Sequence, residues 1–341
     1  MGDRRDLFPL VEVMRNGIVE SSHLGCAVII DFKGTVIEEW GDSKRIIFPR
    51  SSIKMIQALP LIESGALKNF GLGGTEVALA CASHQGSIYH TSAIEKWLSI
   101  IGIDEKDLRC GIQPPSAASD RKVLRDLGKD FSQLNNNCSG KHAGFLTVSK
   151  FLNYDPDYID VDHPLQKEIR SLLSELSGEE IDKFGMDGCS APNFMCSVKG
   201  LALAMAKFSA PSRVGITRIN AMNFVMESMY ANPYLVAGRN RACTELMEAS
   251  KKPIIVKTGA EGVFLASVPD KKIGVALKIL DGSTRASEAA ITTILVRLGV
   301  LNRQHPLVKK RLLRIIRNWN DYQTGVVTPS ERFWAKGARI G

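Results

Sequence analysis

The sequence predicts an α+β fold, with one antiparallel sheet built from both chain ends and a large helical region inserted between them. Two observations near the ends carry the sheet. Residues 26–32 and 36–40, separated by Lys33-Gly34, read as a β-hairpin. Residues 254–258, 263–268 and 273–279 read as three further strands joined by Gly-containing or Pro-Asp turns. A third observation fills the middle. Apolar residues recur with helical spacing over 53–64, 76–82, 87–101, 164–176, 196–206, 212–229 and 239–250, and again after the last strand over 284–298. A two-strand start and a three-strand return suit a single sheet. The sheet part then spans approximately 1–63 and 250–341, and the helical lobe approximately 64–249, within one catalytic domain whose crevice lies between the two.

Composition narrows the class. At 341 residues with 44% hydrophobic and 23% charged side chains, the chain reads as an ordinary soluble globular protein. The opening Met1-Gly2-Asp3-Arg4-Arg5-Asp6-Leu7-Phe8-Pro9 lacks the apolar stretch of a signal peptide, and Asp6 spoils a myristoylation motif. No apolar run reaches membrane-spanning length, so a cytoplasmic protein without membrane contact is expected. Seven scattered cysteines do not form a disulfide framework; they read as free thiols, some of them ligands. The net charge of +8 raises a nucleic-acid reading. Arg303, Lys309, Lys310, Arg311, Arg314 and Arg317 interleave with Leu307, Val308, Leu312, Leu313, Ile315, Ile316 and Trp319, the pattern of an amphipathic helix with one solvated face. With no nucleic-acid motif beside it, that stretch does not make a nucleic-acid binder.

The chemistry lies in paired motifs. Ser51-Ser52-Ile53-Lys54 and Lys257-Thr258-Gly259 match the S-x-x-K and K-T-G signatures of the serine β-lactamase and penicillin-binding architecture. A lysine three residues after a serine on a helix shares its face, so Lys54 is expected within hydrogen-bond reach of Ser51. Lys54 can deprotonate Ser51 if a second cation keeps its amine neutral, and Lys257, on a predicted strand, is the candidate. The residues leave open which lysine is neutral. The S-D-N element of β-lactamases is missing, and Cys81-Ala82-Ser83-His84 takes its place, offering a second serine to Lys257. Two polar, Gly-rich loops each carry cysteine: residues 135–144, Asn-Asn-Asn-Cys-Ser-Gly-Lys-His-Ala-Gly, and residues 185–192, Gly-Met-Asp-Gly-Cys-Ser-Ala-Pro.

Taken together, these motifs resemble the Rhizobium etli-type L-asparaginases, a class similar in structure to serine β-lactamases. The resemblance also runs through Arg15-Asn16-Gly17-Ile18-Val19-Glu20-Ser21-Ser22-His23 and Gly238-Arg239-Asn240-Arg241-Ala242-Cys243, in the family's order and over most of the chain. It implies hydrolysis of L-asparagine to L-aspartate and ammonia by a homodimer. Ser51 would be the nucleophile beside Lys54, and Ser83 with Lys257 the second Ser-Lys pair. Arg50 and Asp187 complement the α-carboxylate and α-ammonium of an amino acid, though Arg50 equally suits a structural ion pair. The resemblance places His142 and Cys243 at the substrate pocket, though Cys243 equally suits a packing role. It also assigns Cys138, Lys141 and Cys189 to zinc, with a water completing four-coordination.

Reading the residues alone would choose His142 as the third ligand, because a lysine ligates only after losing its proton. Other classes remain open at this point. Another serine amidohydrolase, such as a glutaminase, β-lactamase or peptidase, would turn over a different amide. A non-enzymatic zinc-binding protein on the same fold would release no ammonia.

Overall fold

A computed structural model describes residues 7–212 and 214–335. The start Met1–Asp6, on which the expectation of no leader rests, lies outside the described residues, as does Arg213 within the expected helix 212–229. Twelve strands occur among the described residues: β1 (Phe8–Arg15), β2 (Ile18–Asp31), β3 (Val36–Trp40), β4 (Ile46–Ile47), β5 (Phe184–Met186), β6 (Pro192–Phe194), β7 (Cys196–Ser197), β8 (Ile255–Thr258), β9 (Val263–Val268), β10 (Ile273–Ile279), β11 (Arg314–Arg317) and β12 (Gln323–Pro329). Eight of them form one antiparallel sheet in the order β11-β12-β1-β2-β10-β9-β8, with β3 pairing the far part of β2. First and last segments meet at its centre and edge, as the fold class requires. β4 pairs β7 and β5 pairs β6 in two small ribbons.

The expected hairpin and the three-strand return are present, but the main sheet holds three strands more than expected, β1, β11 and β12, besides the two small ribbons. β1 joins β2 through Asn16-Gly17, both at positive φ (46° and 80°), the geometry of a type I′ turn. The Asn-Gly pair is a hairpin signal that the five-strand expectation leaves out. β11 replaces the second half of the expected basic amphipathic helix, which ends at Leu312 (Pro306–Leu312). Arg314-Ile315-Ile316-Arg317 is β-branched at its centre and pairs with β12 instead.

Helices run Gly74–Ala80, Ile88–Ile100, Pro164–Ser177, Val198–Ser209, Ile216–Ala231, Ala242–Ala249 and Thr284–Arg297, close to the spacing-based bounds. Two departures matter for the site. The stretch 53–64 is broken into a 3₁₀ turn Arg50–Ile53 and short helices Lys54–Gln57 and Leu59–Glu63, because Pro60 cannot donate within a continuous helix. The supposed loop 135–144 begins a helix, Ser139–Phe151, whose first eleven residues are all buried. Its glycines explain the miss: a Cβ on Gly140 would lie 2.3 Å from the Leu79 carbonyl oxygen, so a turn-like residue is required where two helices touch.

Helix Val198–Ser209 packs on β10, and Leu201, Ala202 and Met205 join Val275, Leu277 and Ala266 in one apolar core. No helix among the described residues is long and apolar enough to cross a membrane. The helix–sheet contact depends on Gly274, whose Cβ would fall 2.1 Å from the Ala202 carbonyl oxygen and 2.2 Å from the Ala206 nitrogen. Gly274→Ala should therefore destabilise the protein by about 1–3 kcal/mol through overpacking, read as a lower urea midpoint with an unchanged slope.

Candidate active site

Four segments of the chain converge beneath the edge strand β8. Lys257 points inward from β8 and is wholly buried. Its Nζ lies 2.7 Å from Ser83 Oγ and donates to the Thr258 carbonyl at 3.0 Å. Lys54 is equally buried and donates to Ser83 Oγ at 3.2 Å, to the Ala82 carbonyl, and to Cys138 Sγ at 3.1 Å. Ser83 thus sits between two lysines, just past the helix Gly74–Ala80 and tied to the Val236 carbonyl by its own amide. The glycine of K-T-G is what lets β8 approach the turn Arg50–Ile53: a Cβ on Gly259 would fall 2.6 Å from the Pro49 carbonyl oxygen and 3.3 Å from Ser52 Cβ.

The expected hydrogen bond between Ser51 and Lys54 is not formed. Ser51 lies half-buried in the 3₁₀ turn, while Lys54 is drawn away by the Ala82 carbonyl, Ser83 and Cys138. Arg50 stands at the entrance of that turn with φ +54°, a conformation unfavourable for a residue with a Cβ. Its amide donates to Asn193 Oδ1 (3.1 Å) and its Nε to Asp187 Oδ1 (2.8 Å). Arg50 and Asp187 therefore pair with each other, the structural alternative raised for Arg50. Burial opposes the Asp187 carboxylate, but Lys141 and Arg50 hold it below the usual range.

Cys138, Lys141 and Cys189 come together as a third cluster. Cys138 precedes the helix Ser139–Phe151, Lys141 lies in its first turn, and Cys189 is presented by the Asp187–Ala191 turn between β5 and β6. Lys141 Nζ is 3.1 Å from Cys189 Sγ. The hydrogen bond between the thiols lowers Cys189 and raises Cys138 from the usual thiol value. Burial would lower Lys141, but the sulfurs of Cys189 and Cys138 hold its ammonium above its ordinary range. All seven cysteines are free. No group of three or more His, Cys, Asp or Glu among the described residues could hold a metal, so a site here needs the lysine as a ligand.

His142 is wholly buried, with Nδ1 2.9 Å from the Tyr158 hydroxyl and Nε2 without a hydrogen-bond partner among the described residues. Burial and then Lys141 lower its pKa well below the usual value, so the ring is neutral. It bonds to none of the three clusters' polar atoms. Cys243 Sγ accepts from the Thr258 amide at 3.3 Å and braces the K-T-G strand. Sequence reading overlooked His84. Its Nδ1 accepts from the Gly86 amide (3.1 Å), leaving Nε2 to pair with Ser139 Oγ (3.0 Å), which ties the Ser83 segment to the helix of Cys138 and Lys141. Its position next to Ser83 was the available signal.

A sequence profile described as L-asparaginase II matches residues 11–329. The chain belongs to the L-asparaginase II family. As a family member it is a hydrolase of the amidohydrolase type acting on a small-molecule substrate. No curated protein matches this L-asparaginase II chain. Among solved structures it is similar to a β-lactamase from Mycobacterium bovis (12% identity, 80% of this chain and 94% of that one, TM-score 0.40). It is also similar to the D-alanine carboxypeptidase AmpC from Burkholderia cenocepacia (10% identity, 74% and 87%, TM-score 0.37) and to Mglu in its native form (12%, 86% and 69%, TM-score 0.47). Overlaps this loose carry no argument about activity.

One titration separates this L-asparaginase II site from an ordinary surface. Burial, reinforced by Lys54 and Arg241, brings the Lys257 ammonium down from 10.5 to about 7. A base with a lowered folded pKa binds its proton less well folded than unfolded, so its penalty is complete below about pH 7 and gone above 10.5. Unfolding free energy should rise through that window, and Lys257→Met should flatten the rise in urea titrations at pH 7 and pH 9.

Proposed function

We propose that this protein is an L-asparaginase that hydrolyses the side-chain amide of L-asparagine with Ser51 as nucleophile. The observation that carries the reading is the buried Lys257–Ser83–Lys54 array packed against the turn that bears Ser51. A hydroxyl has one proton to give and lone pairs to receive. With Lys257 neutral, Ser83 donates to Lys257 Nζ and accepts from the Lys54 ammonium, a directed proton path through a dry site.

In the first half-reaction, Ser51 Oγ forms a bond to the amide carbon as its proton passes to the Ser83–Lys257 pair. The tetrahedral oxyanion collapses, the C–N bond breaks, and the same pair returns the proton to the departing nitrogen, which leaves as ammonia. Water then cleaves the Ser51 ester by the same relay and yields L-aspartate. Lys54, in contact with Ser83, supplies positive charge near the developing oxyanion. The Arg50–Asp187 pair offers both signs of charge, one for each end of the amino-acid backbone of the substrate.

Cys138, Cys189 and the Lys141 amine would hold zinc: two sulfurs suit a soft divalent ion, and the three groups already touch without a disulfide. Binding must displace the Lys141 proton. Zinc bound there would supply a fixed positive charge that shapes the pocket, the nucleophile being Ser51 already. Assembly as a homodimer belongs to the same reading and is tested by light scattering.

Purified protein should release ammonia from L-asparagine, and Ser51→Ala should lower that rate by roughly 10³-fold or more. L-glutamine, one methylene longer, should react about 10–200-fold more slowly. No ammonia from asparagine in folded, zinc-loaded protein would reject the substrate, and full activity in Ser51→Ala would reject the nucleophile. Metal analysis is an independent check: Cys189→Ser should lose zinc, whereas Cys196→Ser, altering a thiol remote from Lys141, should keep it. Stoichiometric zinc in Cys189→Ser would overturn the ligand set.

A further inference from the structure

The motif Arg15–His23 and the basic segment 309–317 play no part in the site just described, yet the fold brings them together. They meet at the opposite edge of the sheet from β8, around a cavity of about 480 Å³. Arg314 pairs with Val327, Val327 with Val13, and Val13 with Ser21, so these four form one row on one face of β11, β12, β1 and β2. The β11–β12 ladder slips between Ile316 and Arg317, which places Arg317 opposite Gln323. Because Gln323 and Val327 are an even number of residues apart, the slip turns Arg317 to the face that Arg314 occupies. Arg285, at the start of the helix Thr284–Arg297, closes the cavity from above.

The charges in this cleft do not balance. Arg15 is paired with Glu20, and Arg311 with Glu245 and Glu288. The side chain of Arg314 has no ion pair or hydrogen bond among the described residues, and the Nε of Arg285 donates to His23 Nε2 at 3.2 Å, so that Arg285 reaches the Asp281 carboxylate only through His23, whose Nδ1 lies 2.6 Å from it. These two guanidiniums, neither in a direct ion pair, line both this cavity and an adjoining one of about 230 Å³ that Glu288, Lys310 and Arg311 also line. Two arginines facing one hollow repel unless an anion lies between them, and planar guanidinium forks suit phosphate and carboxylate oxygens.

We infer that this cleft binds a small multivalent anion, a polyphosphate or a polycarboxylate, bridged between Arg285 and Arg314. The bound anion ties together the C-terminal hairpin β11–β12, the β1–β2 hairpin and the helix Thr284–Arg297. It therefore steadies the edge of the sheet farthest from Lys257.

Isothermal titration of the full chain with inorganic pyrophosphate, and separately with citrate, tests this against sodium chloride of matched ionic strength. The expected result is saturable one-to-one binding of at least one of them, the preferred ion showing whether the cleft takes phosphates or carboxylates. Arg314→Gln and Arg285→Gln should each raise Kd about tenfold, the loss of one charge-assisted contact. Arg314 is exposed, so its variant should melt at the wild-type temperature and decides the matter even if Arg285→Gln misfolds. Amide exchange in β11 and β12 should slow when the anion is added. Binding no stronger than the salt control, or binding unchanged in Arg314→Gln, would overturn the inference, as would retention of an oligonucleotide in place of both small ions.

Discussion

Two lysines share a single serine hydroxyl in a space from which water is excluded, and most of the site follows from that crowding. Burial of Lys257 opposes its ammonium, and the charges of Lys54 and Arg241 add to that, so its proton is held weakly. The neighbouring sulfur of Cys138 and the carbonyls of Ala82 and Asn137 then absorb the charge of Lys54. The array thus keeps a free amine available near neutrality, where an exposed lysine would stay protonated. It needs rigid walls, and the wall residues have small or absent side chains: Gly259 against Pro49, and Gly140 against Leu79.

The same crowding links the three clusters. Lys54 touches Cys138, Cys138 shares a hydrogen bond with Cys189, and Cys189 lies on Lys141, whose charge in turn acts on Asp187 and its partner Arg50. A proton or charge lost at one end is therefore felt at the other through a short series of buried polar contacts, with His84 bracing the arrangement from behind. A metal at the sulfur cluster and a neutral amine at Ser83 are parts of one electrostatic problem.

How much of this was legible in the sequence differs by residue. The sheet built from both ends could be read from short apolar runs set between turn residues, although β9 and β10 are buried almost throughout, and most helices from helical spacing. The helix Ser139–Phe151 could not, since it is dry all round and its Ser-Gly-Lys-His-Ala-Gly start carries turn-like residues that serve close packing. Arg314–Arg317 misled for the opposite reason: a short exposed strand has too few residues to show period two, and its arginines continued a helical pattern by coincidence. At the site, motif order brought Ser83, Lys54 and Lys257 to one place, but no spacing rule could show that Lys54 turns from Ser51 towards Ser83. That choice is made by the Ala82 carbonyl, a backbone atom with no signature of its own.

The pairing of β12 with β1 and of β10 with β2 has a consequence for how the molecule is made. The β1–β2 hairpin leaves the ribosome with both of its edges open, and its partners lie some 240 to 320 residues farther along. Until those strands emerge an apolar ribbon, Leu10, Val11, Val13, Val28 and Ile30 among it, waits without the strands that will flank it. Loop closure over that span is slow, and open strand edges invite pairing with other nascent chains. Yield in a heterologous host should therefore be governed by chaperone supply and translation speed more than by the stability of the finished fold.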